Sequence, residues 1–386
     1  MDQVPFFQHD LGEEEIAYIR EVFKGNILTT GDFVREFEHG FASYLGSNHA
    51  VGLTSCTAAL HLSLIAYGIG PGDEVITTPM SFIATATAIM QAGAMPVFVD
   101  VEEATGNIDA ELIEQAITPK TKAILPVHLF GQMCDMRRIR EIANKHDLVI
   151  IEDSAHCIEG QRDGVRPGEL GDTACFSFYA TKNMTCGEGG AVLTNSLEVA
   201  EKIALMRTHG MDKTANDREK HGYTHWDMPI FGWKYNMDNI QAAILLPQLK
   251  RVDRNLKNRT ARALKYRDLL ADTIAVSLLN APSNTLSSHH LFPVRVRSEI
   301  RDDTVKHLLT HGIGVSVNYR PIHQFSYFKN HHHFAGLKFP VAEKIGSEIL
   351  SLPLYPTMKM EMVDRVCTTL INWLTTLPQF NKSRFQ

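Results

Sequence analysis

Short runs of β-branched and aliphatic residues alternate along the first half of the chain with segments in which apolar residues recur at helical spacing. This alternation predicts an α/β domain with a mainly parallel central sheet and helices on both of its faces. The predicted strands are 49–53, 74–78, 95–100, 123–127, 148–153, 174–179 and 190–195. The predicted helices between the early strands are about 57–68, 81–92, 109–117 and 135–146.

The pattern changes near residue 250. Residues 249–272 carry many charges at amphipathic spacing and predict one long helix, and a strand predicted at 290–296 opens a region of alternating helices and short strands. We therefore predict an N-terminal arm at 1–30, a large α/β domain at 31–250 and a smaller C-terminal α+β domain at 251–386.

Composition narrows the function classes. The chain has 386 residues, 44% of them hydrophobic, and a net charge of −6 without a basic block, which disfavours nucleic-acid and polybasic membrane partners. No secretory leader or long apolar run is present, so a cytoplasmic location is expected. The six cysteines lack C-x-x-C spacing and His331–His333 are adjacent to one another, so no metal site is expected.

Ligand sites in open α/β sheets lie beyond the carboxyl ends of strands. After the first predicted strand, "TSCTAAL" brings Ser55 and Thr57 to the start of a helix, where free N–H groups and hydroxyls can hold a phosphate or merely cap the helix. Phe82 follows the second strand and is either a core residue or a plate against which a flat ring can stack.

Two carboxylates, Glu152 and Asp153, end the strand predicted at 148–153. We expect one of them at the mouth of the sheet and the other directed to solvent or a partner. A carboxylate at the mouth requires a cation or a donor, and a protonated ring nitrogen would serve. His156 lies three residues further on and is either a structural or a catalytic histidine.

Lys182 stands in a small-residue turn between two apolar runs in "FSFYATKNMTCGEGGAVLTN", residues 176–195. Most lysines are solvated surface charges. Burial between two strands would instead lower the pKa of this amine and make it available for Schiff-base chemistry. Ser177 lies in the strand just before it.

Together the strand ends offer a phosphate cup, an aromatic plate, a carboxylate and a lysine. Pyridoxal 5′-phosphate requires these four groups, for its phosphate, its ring face, its ring nitrogen and its aldehyde respectively. The order of the groups on successive strand ends therefore predicts this cofactor.

Longer motifs extend over nearly the whole chain. They include "SFIATATAI", "HLFGQMCDM", "IIEDSAHCIEG", "GDTACFSFYATKNMTCGEGGAVLTN", "GWKYNMDNIQAAIL" and "YRPIH". On these motifs the chain resembles the DegT/StrS family of nucleotide-sugar aminotransferases. The resemblance implies a fold-type I pyridoxal phosphate enzyme.

The resemblance also implies roles for individual residues. Lys182 would bind the cofactor aldehyde, Asp153 would pair with the pyridine nitrogen, and His156 would tune the cofactor or orient Asp153. Its further implications are ring contact by Phe82 and phosphate contacts by Thr57, Ala58, Ser177 and the neighbouring subunit's Asn236. Thr30, Tyr319 and His323 are candidates for substrate contacts, with a simple loop before a helix as the alternative for "YRPIH". An active site shared in this way implies an obligatory homodimer.

His156 stands where many members carry glutamine, and with "GWKYNMDNIQAA" it resembles the subgroup that aminates a UDP-4-keto-pentose. The subgroup implies amination at C4 of a nucleotide-linked sugar, and the family resemblance implies L-glutamate as the donor. Perosamine-type and 4-amino-4,6-dideoxyhexose synthases, a 3-keto sugar aminotransferase and a non-catalytic or regulatory protein of the same fold stay as alternatives. A related dehydratase carries histidine in place of the lysine, and Lys182 argues against that chemistry.

Overall fold

The computed structural model describes residues 3–213 and 225–378. The helices are α1 Glu13–Val22, α2 Asp32–Leu45, α3 Cys56–Ala66, α4 Ala84–Gln91, α5 Ala110–Ile113, α6 Met136–His146, α7 Leu197–Met206, α8 Asn239–Leu249, α9 Val252–Leu270, α10 Ser298–Thr310, α11 Ser326–Asn330, α12 Pro340–Glu348 and α13 Met360–Thr376. The strands are β1 His49–Leu53, β2 Glu74–Thr77, β3 Met95–Phe98, β4 Thr121–Leu125, β5 Val149–Asp153, β6 Gln161–Arg162, β7 Thr173–Ser177, β8 Gly190–Thr194, β9 Ser277–Leu278, β10 Thr285–Leu286, β11 Phe292–Arg295 and β12 Ile349–Leu352.

A seven-stranded sheet forms the centre of the fold, in the order β1-β8-β7-β5-β4-β2-β3. The pairs β3–β2, β2–β4, β4–β5 and β5–β7 are parallel, whereas β8 is antiparallel to both β1 and β7. The other strands therefore run in one direction, and their carboxyl ends meet at one edge. The predicted mainly parallel sheet is confirmed.

Both faces of the sheet are covered, because successive side chains of a strand point to opposite sides. Phe176 of β7 packs edge-on against Phe41 of α2, with ring centroids 5.0 Å apart. Its neighbour Cys175 belongs to the apolar cluster that contains Leu60 of α3. Helices α2 and α3 thus lie on opposite faces.

The predicted strands are all present and mostly end one or two residues earlier than expected. The predicted helix at 109–117 is only α5 followed by a 3-10 turn at Glu114–Ala116. Pro119 disfavours helical geometry in the residue before it, so the helical pattern cannot continue. The helix predicted from 81 begins at Ala84. In the turn before it, Pro79 O accepts from the N–H of Ile322 at 2.8 Å.

The C-terminal region has its own sheet, in the order β12-β11-β9, and α9, α10 and α13 pack on it around a separate apolar cluster. The domain boundary near 250 stays a prediction; it falls between α8 and α9, and residues 379–386 lie outside the described part of the chain.

The beginning of the chain contributes to this second cluster. Val4 is 1% exposed, its N–H donates to Gly312 O at 2.8 Å, and its carbonyl accepts from the N–H of Gly314 at 2.8 Å. The predicted N-terminal arm therefore starts as a short parallel bridge to Ile313 in the C-terminal region.

Helix α1 follows within the same arm and packs along α8. Arg251, at the α8–α9 junction, ion-pairs with Asp10 at 3.1 Å and with the buried Glu15 at 2.7 Å. The arm is thus fixed to both regions of the fold. Among the described residues, no helix combines the length and apolarity needed to cross a membrane.

Candidate active site

The first turn of α3 lies directly beyond β1. The hydroxyl of Ser55 caps the helix by accepting from the N–H of Ala58 at 3.1 Å. Gly190 of β8 packs against this turn so closely that a Cβ would lie 2.3 Å from the Ser55 carbonyl carbon. The N–H groups of Cys56 and Thr57 have no partner within an α-helix and are the donors left for an anion.

Asp153 ends β5 and is 5% exposed. Its Oδ2 accepts from the hydroxyl of Thr85 at 2.8 Å, and its Oδ1 accepts from the N–H of Ala155 at 3.1 Å. Burial raises the pKa of Asp153, and these two donors oppose the rise. The carboxylate is therefore held in one orientation with capacity for a further partner.

Glu152 points to the other side of the strand and is fully buried. It contacts Nε2 of His128 at 2.8 Å and accepts from the N–H of Gly168 at 3.1 Å. The expectation that one carboxylate reaches the mouth of the sheet while the other finds a partner is confirmed, with Asp153 at the mouth.

Lys182 lies in the turn between β7 and β8, and its N–H donates to Tyr179 O at 2.9 Å. Burial lowers the pKa of its amine to about 8, and the charge of Asp153 opposes that shift. The direction of this shift agrees with the sequence prediction that the amine of Lys182 is partly removed from water.

His156 is held between two partners. Its Nδ1 accepts from the N–H of Phe130 at 3.3 Å, so the ring proton is on Nε2, which donates to the hydroxyl of Tyr319 at 3.1 Å. Burial and the charge of Lys182 keep the pKa of His156 well below its ordinary value. His156 is thus a neutral donor that orients Tyr319.

These side chains surround one cavity of about 500 Å³ at the carboxyl edge of the sheet. The predicted residues that line it are Thr57, Phe82, Asp153, His156, Ser177, Lys182 and Tyr319. Phe82 is 57% exposed and its ring centroid lies 6.2 Å from that of Tyr319. It therefore forms a wall of the cavity and is not a core residue.

The remaining predicted residues lie outside this cavity. Thr30 donates to Met237 O at 2.7 Å and accepts from Nδ2 of Asn236 at 2.8 Å. His323 is buried with its Nε2 3.0 Å from Oε1 of Glu343. Their cofactor and substrate contacts, and the phosphate contact of Ala58, stay predictions.

Sequence reasoning did not single out Thr85, although it stands in the quoted motif "SFIATATAI" one turn after Phe82. The available signal was a hydroxyl in the first turn of a helix that follows a strand end. It also did not single out Tyr179, Glu188 and Asn318, which line the cavity from loops.

Comparison with known proteins agrees with this geometry. The sequence model of the DegT/DnrJ/EryC1/StrS aminotransferase family matches residues 9–371. The chain belongs to this family. The predicted resemblance is thereby confirmed, whereas the pentose subgroup is not.

The names of two similar relatives refer to the biosynthesis of polysaccharides or sugars. The spore coat polysaccharide biosynthesis protein SpsC of Bacillus subtilis is 39% identical over 369 residues, which are 94% of this chain and 95% of SpsC. The GDP-perosamine synthase of Caulobacter vibrioides is 40% identical over 350 residues, which are 89% of this chain and 91% of the synthase.

A similar solved structure is that of NtdA from Bacillus subtilis with its bound cofactor PMP, the aminated form of pyridoxal phosphate. It shares 33% identity, has a TM-score of 0.85, and the match covers 96% of this chain and 85% of NtdA. The protein is therefore a pyridoxal phosphate-dependent sugar aminotransferase of fold-type I, as predicted.

The cavity fits this cofactor by its donor set. The start of α3 has N–H groups suited to a phosphate, Lys182 has a desolvated amine suited to an aldehyde, and Asp153 has a carboxylate suited to a protonated ring nitrogen. These groups come from three different strand ends and face one volume of about 500 Å³.

Proposed function

We propose that the protein transfers the amino group of L-glutamate to C4 of a nucleotide-linked 4-keto sugar. The observation that carries the proposal is the convergence of the Lys182 amine and the Asp153 carboxylate on one cavity. Two similarities support the C4 position. His156 and "GWKYNMDNIQAA" resemble the subgroup that aminates a UDP-4-keto-pentose, and the chain is similar to the GDP-perosamine synthase of Caulobacter vibrioides, whose type of enzyme is one of the C4 alternatives.

The chain's own groups suit such a transfer. When bound, pyridoxal phosphate supplies an aldehyde that takes up the amino group and a ring that accepts electron density from the reacting carbon. Lys182 would hold that aldehyde and, once released, move a proton to or from the reacting carbon, because an amine with a pKa of about 8 can both accept and donate near neutral pH.

Asp153 would keep the ring nitrogen protonated, since its carboxylate is fixed by Thr85 and Ala155. His156 would act through Tyr319, whose hydroxyl accepts from the imidazole and is left with its own proton to donate into the cavity. Tyr319, with Thr30 and His323, would contact the sugar.

Thr57, Ala58 and Ser177 would hold the cofactor phosphate, and Phe82 would cover the ring. Asn236 would reach the phosphate of the neighbouring subunit in a homodimer. Asn236 does not line the cavity of its own chain, as this assignment requires.

The substrate is tested by offering the aminated form of the purified enzyme a panel of UDP-, GDP- and dTDP-linked 4-keto and 3-keto sugars. We expect a 4-amino sugar nucleotide, detected by mass spectrometry and NMR, and consumption of L-glutamate with release of 2-oxoglutarate. An exclusive 3-amino product would refute the C4 assignment and support the alternative of a 3-keto sugar aminotransferase.

The role of Lys182 is tested by Lys182→Ala, with Lys122→Ala as the control because Lys122 is an exposed residue of β4. We expect Lys182→Ala to lose turnover by a factor on the order of 1000 or more. A complete catalytic cycle in that variant would eliminate the assigned role.

The shared site is tested by mixing inactive Lys182→Ala and Asn236→Ala subunits. In a hybrid dimer one site combines Lys182 of one subunit with the intact Asn236 of the other. Activity that returns on mixing supports the proposal, whereas a monomer in sedimentation experiments contradicts it.

A further inference from the structure

Asn183 directly follows Lys182, and its amide group is bonded on every side. Nδ2 donates to Oε2 of Glu159 at 3.0 Å and to the carbonyl of Ser288 at 3.1 Å. A carboxylate and a carbonyl only accept hydrogen bonds, so the orientation of the amide is fixed by its partners.

Oδ1 of Asn183 consequently faces Nδ1 of His290, at 3.2 Å. Because an amide oxygen cannot donate, the ring proton of His290 must be on Nδ1, and Nε2 keeps its lone pair. The His290 ring lies 4.4 Å from that of His156, centroid to centroid. Asn183 thus sets the tautomer of one of two adjoining imidazoles.

The partners of Asn183 are themselves fixed. Glu159 forms an ion pair with Arg259 of α9, and their side chains are only 1% and 2% exposed. Nε of Arg259 donates to Ser288 O at 3.1 Å, and Ser288 Oγ accepts from the N–H of Glu159 at 3.1 Å. Breaking such a buried pair is costly, so the acceptors that hold Asn183 cannot move easily.

Lys182, Asn183, Arg259 and His290 also line a second, small cavity of about 30 Å³. Lys182 therefore lies between the large cavity and a polar network that joins the segment after β5, the segment before β11, and α9. A side chain anchored at three points next to the lysine restricts the backbone from which the amine projects.

We propose that Asn183 is a positioning residue: its amide, clamped by Glu159 and Ser288, fixes the direction in which Lys182 presents its amine to the large cavity. The inference rests on the proposed role of Lys182. It predicts that Asn183 affects the chemical steps more than substrate affinity, although it lies outside the lining of the large cavity.

The test uses Asn183→Leu, which removes the polar atoms at similar volume, and Asn183→Asp, which keeps the shape. Asn255→Leu is the matched control, because Asn255 is a buried amide of α9 that bonds Asp10 and does not touch Asn183. In Asn183→Leu we expect kcat to fall about 100-fold. KM for both substrates should change by less than roughly threefold.

Asn183→Asp gives a distinct signature. The introduced carboxyl faces the carboxylate of Glu159 and the Ser288 carbonyl, so it fits the network only when it carries a proton. We expect kcat of this variant to recover in part as the pH is lowered, whereas kcat of Asn183→Leu does not recover. If Asn183 had a purely structural role, Asn183→Asp would lower the unfolding midpoint, and kcat of the folded enzyme would not show this recovery at lower pH.

A second measurement is independent of turnover. In the cofactor-free protein, the pH dependence of trace acylation at Lys182, quantified by mass spectrometry, reports the pKa of its amine. We expect the midpoint to rise by roughly one unit or more in Asn183→Leu, because a displaced amine meets more water, and to stay unchanged in Asn255→Leu.

An Asn183→Leu protein that is folded and keeps both kcat and the labelling midpoint of the unsubstituted enzyme would overturn the proposal. Should that variant not fold, Asn183→Asp decides, since absence of recovery at lower pH would overturn it equally. Activity retained in Lys182→Ala would instead contradict the proposed role of Lys182. The labelling result would still show whether Asn183 positions the amine, because labelling does not depend on turnover.

Discussion

The hydroxyl of Thr85 in α4 donates a hydrogen bond of 2.8 Å to Oδ2 of Asp153 at the end of β5. Thr85 also lies 2.7 Å from Ser81 Oγ. Because Thr85 uses its proton on the carboxylate, Ser81 must donate to Thr85. A chain of two hydroxyls thus directs one donor to the carboxylate, which favours its charged form although burial disfavours it.

Removing that donor should shift the acid limit of activity. In Thr85→Val the pKa of Asp153 should rise further, and the acid limb of kcat/KM for glutamate should move to higher pH by roughly one unit. The control is Thr87→Val, since Thr87 lies on the same helix and donates only to Ala84 O, at 3.3 Å. An unmoved acid limb in Thr85→Val, or an equal shift in the control, would contradict this role.

Lys182 should reduce the stability of the cofactor-free protein. Its pKa is about 8 in the folded protein against 10.5 unfolded, so the folded state carries the full penalty below pH 8 and none above pH 10.5. Lys182→Met should therefore be more stable at pH 7, by at most about 3 kcal/mol, and the gain should shrink as pH rises through 8.

Urea unfolding between pH 7 and 9.5 checks this prediction, with Lys122→Met as the control at an exposed position. A gain that is independent of pH would indicate improved packing and would count against a desolvated amine.

Arg251 should contribute strongly to stability. Its side chain is 9% exposed and pairs with Glu15, whose side chain is 4% exposed. Arg251→Met leaves that carboxylate buried without its cation, and we expect a loss of about 3 to 5 kcal/mol in the free energy of unfolding. Arg254→Met should change it by less than about 0.5 kcal/mol, since Arg254 is 66% exposed and its partner Asp10 lies 3.8 Å away. Equal losses in the two variants would show that burial of Glu15 is not the cause.

The strand ends were predictable because local pattern determines them. An apolar run followed by Asp153, or a lysine between two buried runs, is visible within about ten residues, and the rule for parallel sheets then places such residues at a common edge. The structure brings Lys182, Asp153, Thr57 and Ser177 to one cavity in this way.

The donors to these residues were not predictable, because they depend on how distant elements pack. Thr85 and Asp153 are 68 positions apart, and Asn183 and Ser288 are 105 positions apart. No spacing rule connects such pairs, and the rotation of a helix over a strand decides which hydroxyl faces the carboxylate. The same reason applies to the ion pair of Glu159 and Arg259, which are 100 positions apart.

The bridge between Val4 and Ile313 affects the order in which the protein can be completed during synthesis. Val4 precedes Leu370 by 366 positions, yet both belong to one apolar cluster, which also includes Leu374. That cluster can close only after Leu374 has left the ribosome. Residues 251–378 expressed alone would lack Val4, one of the residues of their own core, so folding of the C-terminal region is tied to the segment that carries Val4.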